Sequence, residues 1–395
     1  MIVAAKLIID EQAQDISIDP AVSQLYRDIP PEAGFDWQSK DQIYNAPFRS
    51  TFHLTMGMQI IPRNDEGTNR RSALQTCSFS EFLDMDKTYP EKINLRRRII
   101  EEQGKNVIDC APVATSAVFE LYEWTIGNYL PKRYPSMFAL VTTEKNTYVL
   151  NKVLNEQIPL VPLPSSAHEC LTILASHVDT DFNILMPYAD PNEQNPKRAE
   201  PTPTPDHPYH LHAYAFCFPS GFSMPHKMGL SLANIHIPVP GYAQKLQMSM
   251  DRFFTTLPFG KIAKRANWAV QQDSTYFKIS GNHGYTKLAP QTFAPPKHEP
   301  SEEELKQWAE DAEKVVPETC VLRSERQTLH RLEKTGALVF AFKTYMYPLP
   351  EVKAAGLGVE MADAAEGLWK GSVPAIAVYK RGVVWARKVV DYLRA

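Results

Sequence analysis

The sequence is poor in cysteine, with five among its 395 residues. No two of them are spaced as C-x-x-C, so neither a zinc ribbon nor an iron–sulfur cluster of the ferredoxin type can form locally. An odd number of widely separated cysteines is typical of a reduced intracellular protein, and we expect a cytoplasmic location. The cysteines are Cys77, Cys110, Cys170, Cys217 and Cys320.

Long hydrophobic runs and an excess of basic residues are also missing. No apolar run approaches the ~18 residues of a membrane-spanning helix, and the short run in MIVAAKLIIDEQAQD lacks the basic region and cleavage site of a secretory signal. Lys and Arg number 42 against 45 Asp and Glu, which gives a net charge of −3. Binding to nucleic acid by counterion release needs a basic surplus. We therefore expect a soluble protein that binds neither a membrane nor nucleic acid.

Glycine is scarce beside proline, at 17 against 32 residues, which indicates loops stiffened by fixed φ angles. The glycine motifs that bind phosphates are absent, since no G-x-G-x-x-G follows a strand and no G-x-x-x-x-G-K-S/T occurs. The G-x-S-x-G and H-E-x-x-H motifs of hydrolases and metalloproteases are absent too. The chain thus has no recognisable site of its own for nicotinamide, flavin or ATP.

Short β-like runs begin at Asp181. FNILMP and HLHAYAFCF come first, and RANWAVQQ, VLRSERQTLHRL and ALVFAFKTYMYPL follow later. Between the two groups lies YAQKLQMSMDRFFTTL, whose apolar residues recur at helical spacing along one face. Two strands, a helical crossover and three strands are the order of a PAS-like α+β fold, in which helices pack on one face of an antiparallel sheet.

The whole chain divides into four predicted segments. They are an acidic, proline-rich arm at 1–50, a mainly helical region at 51–178, the PAS-like core at 179–350 with an insertion at 279–318, and an alanine-rich helical tail at 351–395. In the helical region, a helix at 111–130 is expected to stop at Pro131. In the insertion, Ser301 and Glu304 have the spacing of a capping box and predict the start of a charged helix. A short turn at Glu333–Gly336 predicts a hairpin between the last two strands.

His236 lies in ANIHIPVPGY, directly before the long amphipathic helix. Ile235 and Ile237 flank it, and Pro238 and Pro240 restrict the backbone that follows. A neutral, oriented imidazole that is shielded from water suits an axial ligand of haem iron. The alternative is a core histidine that bonds to the backbone, and the residues alone leave both open.

His207, His210 and His212 form a second histidine cluster, in HPYHLHAYAFCF. On a strand His210 and His212 share a face, and such a pair can bind a metal ion. No acidic residue nearby completes a metal site, so the alternative is a solvent-exposed edge strand.

The strand LRSERQTLHR is polar on both faces. One face carries Leu322, Ser324, Arg326, Thr328 and His330, and the other carries Arg323, Glu325, Gln327, Leu329 and Arg331. Ionisable groups are costly to bury unless they are paired or bind a ligand. Together with Arg265 and Asn267 on the neighbouring strand, these polar residues predict one of two arrangements. They form either the polar wall of a pocket or a solvated outer face held by Glu–Arg pairs.

Six longer strings occur in this order along the chain. They are FHLTMGM (52–58), FLDMDKTYPEKINLRRR (82–98), NYLPKRYPSMF (128–138), GLSLANIHIPVPGYAQKL (229–246), FFTTLPFGKIAKRANW (253–268) and LRSERQTLHRLEKTGALVFAFKTYMYPL (322–349). Together they resemble the haem-dependent oxidative N-demethylase-like family, and HIPVPGY, RANW and ERQTLHRL are the most specific parts of the resemblance. It covers most of the chain and ends before the helical tail.

The resemblance implies a PAS-like α subunit that binds haem b. Such a subunit oxidises a small secondary amine with O₂, and the amine is dimethylamine in the characterised type. NADPH, FMN and a 2Fe-2S cluster would then be carried by partner subunits that deliver the electrons, and a folate site would collect the one-carbon product. This division agrees with the lack of flavin and nicotinamide motifs in this chain.

The resemblance also favours roles for particular residues. His236 is predicted to be the iron ligand, with His226 as the second choice. Tyr242 and Lys245 on the following helix are predicted to bind the haem propionates. A polarised distal wall is predicted from the strand residues Arg265, Asn267, Glu325, Arg326 and Thr328. Two other functions remain open: a haem-based gas or redox sensor without turnover, and a haem-free protein that binds a small ligand or a partner.

Overall fold

The computed structural model describes residues 24, 26–32, 34–41, 75–187, 209–284 and 300–395. Several features named above therefore lie outside the described residues. They are most of the arm at 1–50, the string at 52–58, His207, and residues 285–299 of the insertion.

Ten strands occur in the described part of the chain. They are β1 (Gln75–Cys77), β2 (Ile108–Cys110), β3 (Phe138–Thr142), β4 (Thr147–Asn151), β5 (Glu156–Val161), β6 (Asp181–Pro187), β7 (Tyr209–Ala215), β8 (Ile262–Gln271), β9 (Val321–Arg331) and β10 (Leu338–Pro348). Seven of them form the main sheet, in the order β1-β8-β9-β10-β6-β7-β2, and β3, β4 and β5 form a second sheet. All neighbouring strands are antiparallel.

Helices precede, interrupt and follow the strands of the main sheet. In the described residues they are α1 (Tyr89–Gln103), α2 (Thr115–Tyr122), α3 (Leu130–Arg133), α4 (Ala167–His177), α5 (Leu232–Ile235), α6 (Tyr242–Lys245), α7 (Gln247–Thr256), α8 (Glu302–Glu313), α9 (Leu349–Ala354), α10 (Gly358–Lys370), α11 (Ala375–Tyr379) and α12 (Gly382–Arg394). Mixed helices and antiparallel sheets make this an α+β protein, as predicted.

Strands β6 to β10 and the crossover between β7 and β8 agree with the sequence prediction, whereas β1 and β2 of the main sheet were not predicted. The hairpin between β9 and β10 is confirmed, since Leu332 N–H donates to the Ala337 carbonyl at 2.8 Å. Gly336 has a φ of 67°, which a residue without a Cβ adopts at little cost. The capping box is confirmed as well: Ser301 and Glu304 each accept the other's backbone N–H.

The amphipathic helix predicted at 242–257 is divided in two. Its apolar face is buried as expected, with Tyr242, Met250 and Phe254 each no more than 9% exposed. Leu246 separates α6 from α7; it stays in the right-handed region, but its φ of −119° is far from the regular helical value. The apolar spacing continues across this break, so the sequence pattern alone does not reveal it.

Pro131 does not end the preceding helix, and that prediction was wrong. After α2 the chain forms a π-helical stretch at Glu123–Tyr129, and α3 then carries Pro131 in its first turn and ends at Arg133. A proline lacks the N–H of a regular helical bond. The wider π turn next to it already departs from the α-helical bonding pattern, so the helix continues past the ring.

The second sheet was not predicted within the mainly helical region. Its strands expose some apolar side chains, with Leu140 50% and Val161 56% exposed. Outward apolar residues weaken the alternation that normally marks a half-buried strand. The three short strands therefore carry no clear signal in the sequence.

Both faces of the main sheet are covered. The region before β6, with helices α1, α2 and α4, packs on one face, and the crossover helices α5 to α7 pack on the other. The C-terminal helices α9 to α12 cover one end of β8, β9 and β10. None of the helices in the described part of the chain has the length and hydrophobicity that a bilayer crossing requires.

Candidate functional site

A cavity of about 320 Å³ lies between the main sheet and the crossover. Strands β8 and β9 line it from the sheet side, and α5, α6 and α7 line it from the helical side. Further lining residues come from α11 and from the loop around Phe222. The volume lies within the range of small-molecule and cofactor sites, which is about 300–1,000 Å³.

His236 is held at this cavity by the turn that ends α5. The hydroxyl of Ser231 caps that helix by accepting the Asn234 backbone N–H at 3.2 Å. The Nδ1 atom of His236 lies 2.7 Å from the Leu232 carbonyl oxygen. Because a carbonyl oxygen only accepts, this contact assigns the proton to Nδ1 and leaves the Nε2 lone pair for a metal ion.

Burial keeps the His236 ring neutral. Loss of hydration lowers the pKa of His236 to about 4, and the positive charges of Lys227 and Arg265 act in the same direction. The ring stacks on Tyr242, with 4.5 Å between centroids and an interplanar angle of 8°. A metal-binding imidazole must be neutral and fixed in orientation, and His236 meets both conditions.

Tyr242 lines the same cavity and is 2% exposed. Its hydroxyl is buried and finds no hydrogen-bond partner among the described residues. A buried hydroxyl without a partner is destabilising, so a ligand that supplied an acceptor here would remove that cost. Leu246, Met250 and Phe254 extend this side of the cavity as an apolar surface.

The sheet side of the cavity is polar. Arg265 and Asn267 on β8 face the cavity together with Glu325 and Gln327 on β9. Arg265 stands directly opposite Gln327 in the strand register, and Asn267 stands opposite Glu325. Arg323 follows on the same face, with its Nε atom 3.7 Å from a carboxylate oxygen of Glu325. The structure therefore bears out the pocket interpretation of this face and contradicts the solvated one.

Two lysines from distant parts of the chain complete the polar surface. Lys227, from the loop after β7, lies with its Nζ 3.5 Å from the centre of the Phe222 ring, and burial lowers its pKa to about 7. Lys380, which directly follows α11, donates to the Asn267 side-chain oxygen at 3.1 Å. Burial lowers the pKa of Lys380 to about 8 as well, against the favourable charge of Glu325.

The charged groups that line the cavity are mostly positive. Among the described lining residues, Arg265, Arg323, Lys227 and Lys380 face the cavity, against one carboxylate, that of Glu325. Cationic donors within a largely apolar enclosure bind carboxylates strongly. The cavity therefore suits a ligand with a large apolar body and at least one anionic group.

Four residues predicted for the site do not line the cavity. Arg326 and Thr328 lie on the opposite face of β9, where Arg326 donates to the Phe82 carbonyl at 3.2 Å and Thr328 to the same oxygen at 3.4 Å. Lys245 and His226 are exposed. The strand alternation had put Arg326 and Thr328 on the other face from Glu325, and only one face of β9 lines the cavity.

The histidine pair on β7 is not a solvent-exposed edge. His210 and His212 are 2% and 6% exposed, since β7 lies between β6 and β2. Their rings stand 6.1 Å apart, and His210 Nδ1 contacts the Gly229 carbonyl at 3.0 Å. Across the described residues, no group of three His, Cys, Asp or Glu side chains is placed to hold a metal ion.

Sequence reasoning missed the two cavity lysines and gave Gln327 no role. The alternation along β9 does point to Gln327, because it places Gln327 on the same face as Glu325. Lys227 and Lys380 had no such signal, since they are separated by about 150 residues and converge only in the folded chain.

The fold and the cavity define an α+β protein whose site is lined by apolar and mostly cationic side chains, with the neutral ring of His236 in its wall. Residues 73–390 match a family described as haem-dependent oxidative N-demethylase, alpha subunit-like. The match covers most of the chain, so the chain belongs to this family, and it extends through the C-terminal helices that the six strings had not included. A search of curated proteins finds none that matches. The family's description as an alpha subunit implies partner subunits.

Proposed function

We propose that this chain is the haem-binding subunit of an enzyme that removes a methyl group oxidatively from a small secondary amine, similar to dimethylamine. O₂ would be the oxidant, and a partner reductase carrying flavin and an iron–sulfur cluster would supply electrons from NADPH. The observation that carries the proposal is that His236, on the helical side, and Glu325, on the sheet side, line one enclosed cavity. Membership of the family supports the haem dependence.

The residues present fit a haem group. His236 would bind the iron through Nε2, and the apolar surface of Leu246, Met250 and Phe254 would cover the porphyrin. Arg265 and Lys227 would offer cations to the propionates, and the Tyr242 hydroxyl would offer a hydrogen-bond donor. The sequence has no C-x-x-C-H motif for covalent attachment, which favours haem b.

When bound, the haem would supply the redox chemistry between O₂ and the amine. The amine loses two electrons and a proton to become an iminium ion, and water then releases formaldehyde and the smaller amine. Glu325 is proposed to hold the amine nitrogen and to accept a proton from it. Asn267, which stands opposite Glu325, offers a further polar side chain beside the nitrogen. The walls of the cavity would limit the water that reaches the substrate.

We also propose that the core at 179–350 is PAS-like. Five of its strands run in the chain order of that fold, with β6 and β7 before the helical crossover and β8, β9 and β10 after it. In the sheet, β6 lies beside the last strand, β10, so that the five strands form one continuous antiparallel array. The crossover helices pack on one face of this array, and the cavity lies between them.

Spectra and amine turnover of the full chain test the proposal. Supplied with haem, the protein should show a Soret band, and with a competent reductant, O₂ and dimethylamine it should release formaldehyde. Glu325→Gln should keep the band and lower amine turnover by about 10- to 100-fold, because a charged hydrogen-bond acceptor is lost. Glu310→Gln, an exposed position outside the cavity, is the matched control and should be unchanged. A Soret band without turnover would favour a haem-based sensor, and no band would leave a haem-free binding protein.

A further inference from the structure

Gln327 occupies a particular place in the polar wall. It lies on β9 directly opposite Arg265 of β8, two residues from Glu325, and it is 4% exposed. Its amide touches both charged neighbours. Arg265 Nε donates to the amide oxygen at 2.7 Å, and the amide nitrogen donates to a carboxylate oxygen of Glu325 at 3.1 Å.

Only one orientation of the Gln327 amide satisfies both neighbours. A guanidinium group has donors and no acceptor, and an ionised carboxylate has acceptors and no donor. The amide oxygen must therefore face Arg265 and the amide nitrogen must face Glu325. A flipped amide would place donor against donor and acceptor against acceptor.

Gln327 also separates two groups that could otherwise pair. Arg265 and Glu325 are diagonal neighbours on adjacent strands, and long side chains reach each other at such positions. The Glu325 carboxylate already lies 3.7 Å from Arg323, and a direct ion pair with Arg265 would turn it along the sheet and leave it fewer lone pairs for a substrate. With the amide between them, the two charged groups are linked through a neutral residue.

We propose that Gln327 is a positioning residue that keeps the Glu325 carboxylate apart from Arg265 and directed at the amine nitrogen of the substrate. This inference rests on the proposed function for the identity of the substrate. The arrangement of the three side chains is independent of it.

Crystal structures of the wild type and of Gln327→Met test the arrangement itself. Methionine has nearly the same length and neither donor nor acceptor on a terminal amide. In the variant, the Glu325 carboxylate is expected to move into direct contact with Arg265, within 4 Å. A carboxylate that keeps its wild-type position would overturn the inference, whether or not the protein oxidises amines.

Steady-state kinetics of the haem-loaded chain test the consequence for the substrate. Gln327→Met should keep the Soret band and raise the KM for dimethylamine by about 10- to 100-fold, with a smaller change in kcat. Gln307→Met is the control, because the Gln307 amide donates to Asp311 on the same helix, α8, and Gln307 is not among the described residues that line the cavity. An unchanged KM in Gln327→Met would contradict the inference, whereas absence of turnover in the wild type would contradict the proposed function instead.

Discussion

At the scale of single residues, His236 is the proposed iron ligand, and its surroundings in the cavity wall suit that role. Its backbone contact to Leu232 fixes the ring and the tautomer, and burial keeps the ring uncharged. These are two separate effects, and each is needed, since a protonated or rotating imidazole is a poor ligand. The sequence alone identifies His236 and the prolines that restrict the backbone after it. Which ring nitrogen carries the proton is known only from the folded turn.

Replacing His236 is expected to abolish haem retention. His236→Ala removes the only imidazole proposed to bind iron, so a haem titration followed at the Soret band should give no tight complex. His210→Ala and His212→Ala should retain haem, and so should His226→Ala, whose side chain is exposed. Stoichiometric haem in His236→Ala would show that another residue is the ligand.

At the scale of elements, the two faces of strand β9 pack against different surroundings. Arg323, Glu325 and Gln327 face the cavity. The opposite face packs on the segment around Phe82, which Arg326 and Thr328 contact through its carbonyl. Both faces are covered, so both carry polar groups that need partners inside the protein. Alternation in the sequence separates the two sets, but it does not say which set faces the ligand.

Substitutions on the two faces of β9 are therefore expected to differ in effect. Arg326→Ala should lower the free energy of unfolding by about 1–3 kcal/mol, because buried carbonyl oxygens lose a charged donor, and it should keep haem affinity. Glu325→Gln should leave stability within about 1 kcal/mol and lower amine turnover. Denaturant unfolding and haem titration of both variants are the measurements. Loss of haem affinity in a folded Arg326→Ala protein would contradict the assignment of Arg326 to the face of β9 that lies away from the cavity.

Helix α8 begins at the capping box that Ser301 and Glu304 form. Ser301 is exposed and accepts the Glu304 N–H at 3.2 Å. Ser301→Ala should lower the free energy of unfolding by about 1 kcal/mol, whereas Ser301→Asp should keep most of it because aspartate is also a good cap. Thermal unfolding of the two variants is the measurement, and equal destabilisation by both would argue against a capping role.

At the scale of the whole molecule, buried ionisable groups join the N-terminal region to the sheet. Lys343 on β10 lies 2.8 Å from Asp86 and 2.9 Å from Asp179, and all three are no more than 1% exposed. Histidines form a second class of buried ionisable groups. His330 is fully buried among aromatic rings, and neither of its nitrogens has a partner among the described residues.

The buried histidines predict a loss of stability in mild acid. Burial lowers the pKa of His177 and His236 to about 4, and of His283 and His330 to about 3. An unfolded histidine has a pKa near ~6.5, so between ~6.5 and ~4 only the unfolded chain takes up these protons. The free energy of unfolding should then fall as pH is lowered, by about 1.4 kcal/mol per pH unit for each group.

Denaturant unfolding of the wild type and of His330→Leu between pH ~7 and ~5 measures this effect. The variant removes one buried histidine without adding a charge. Its free energy of unfolding should therefore fall less steeply as pH is lowered, and the slopes should differ by the uptake of one proton. Identical slopes for the two proteins would show that His330 is already protonated or exposed in the folded state.

Local sequence signals predict the order of the strands from 181 onwards, the hairpin and the capping box. These depend on local spacing and turn chemistry, which the chain carries wherever it folds. Tertiary structure alone decided which face of β9 meets the cavity, where the crossover helix breaks, and that Lys227 and Lys380 converge on Glu325. The reason is that covering a face and bringing distant charges together are properties of packing between elements, and periodicity within one element does not contain them.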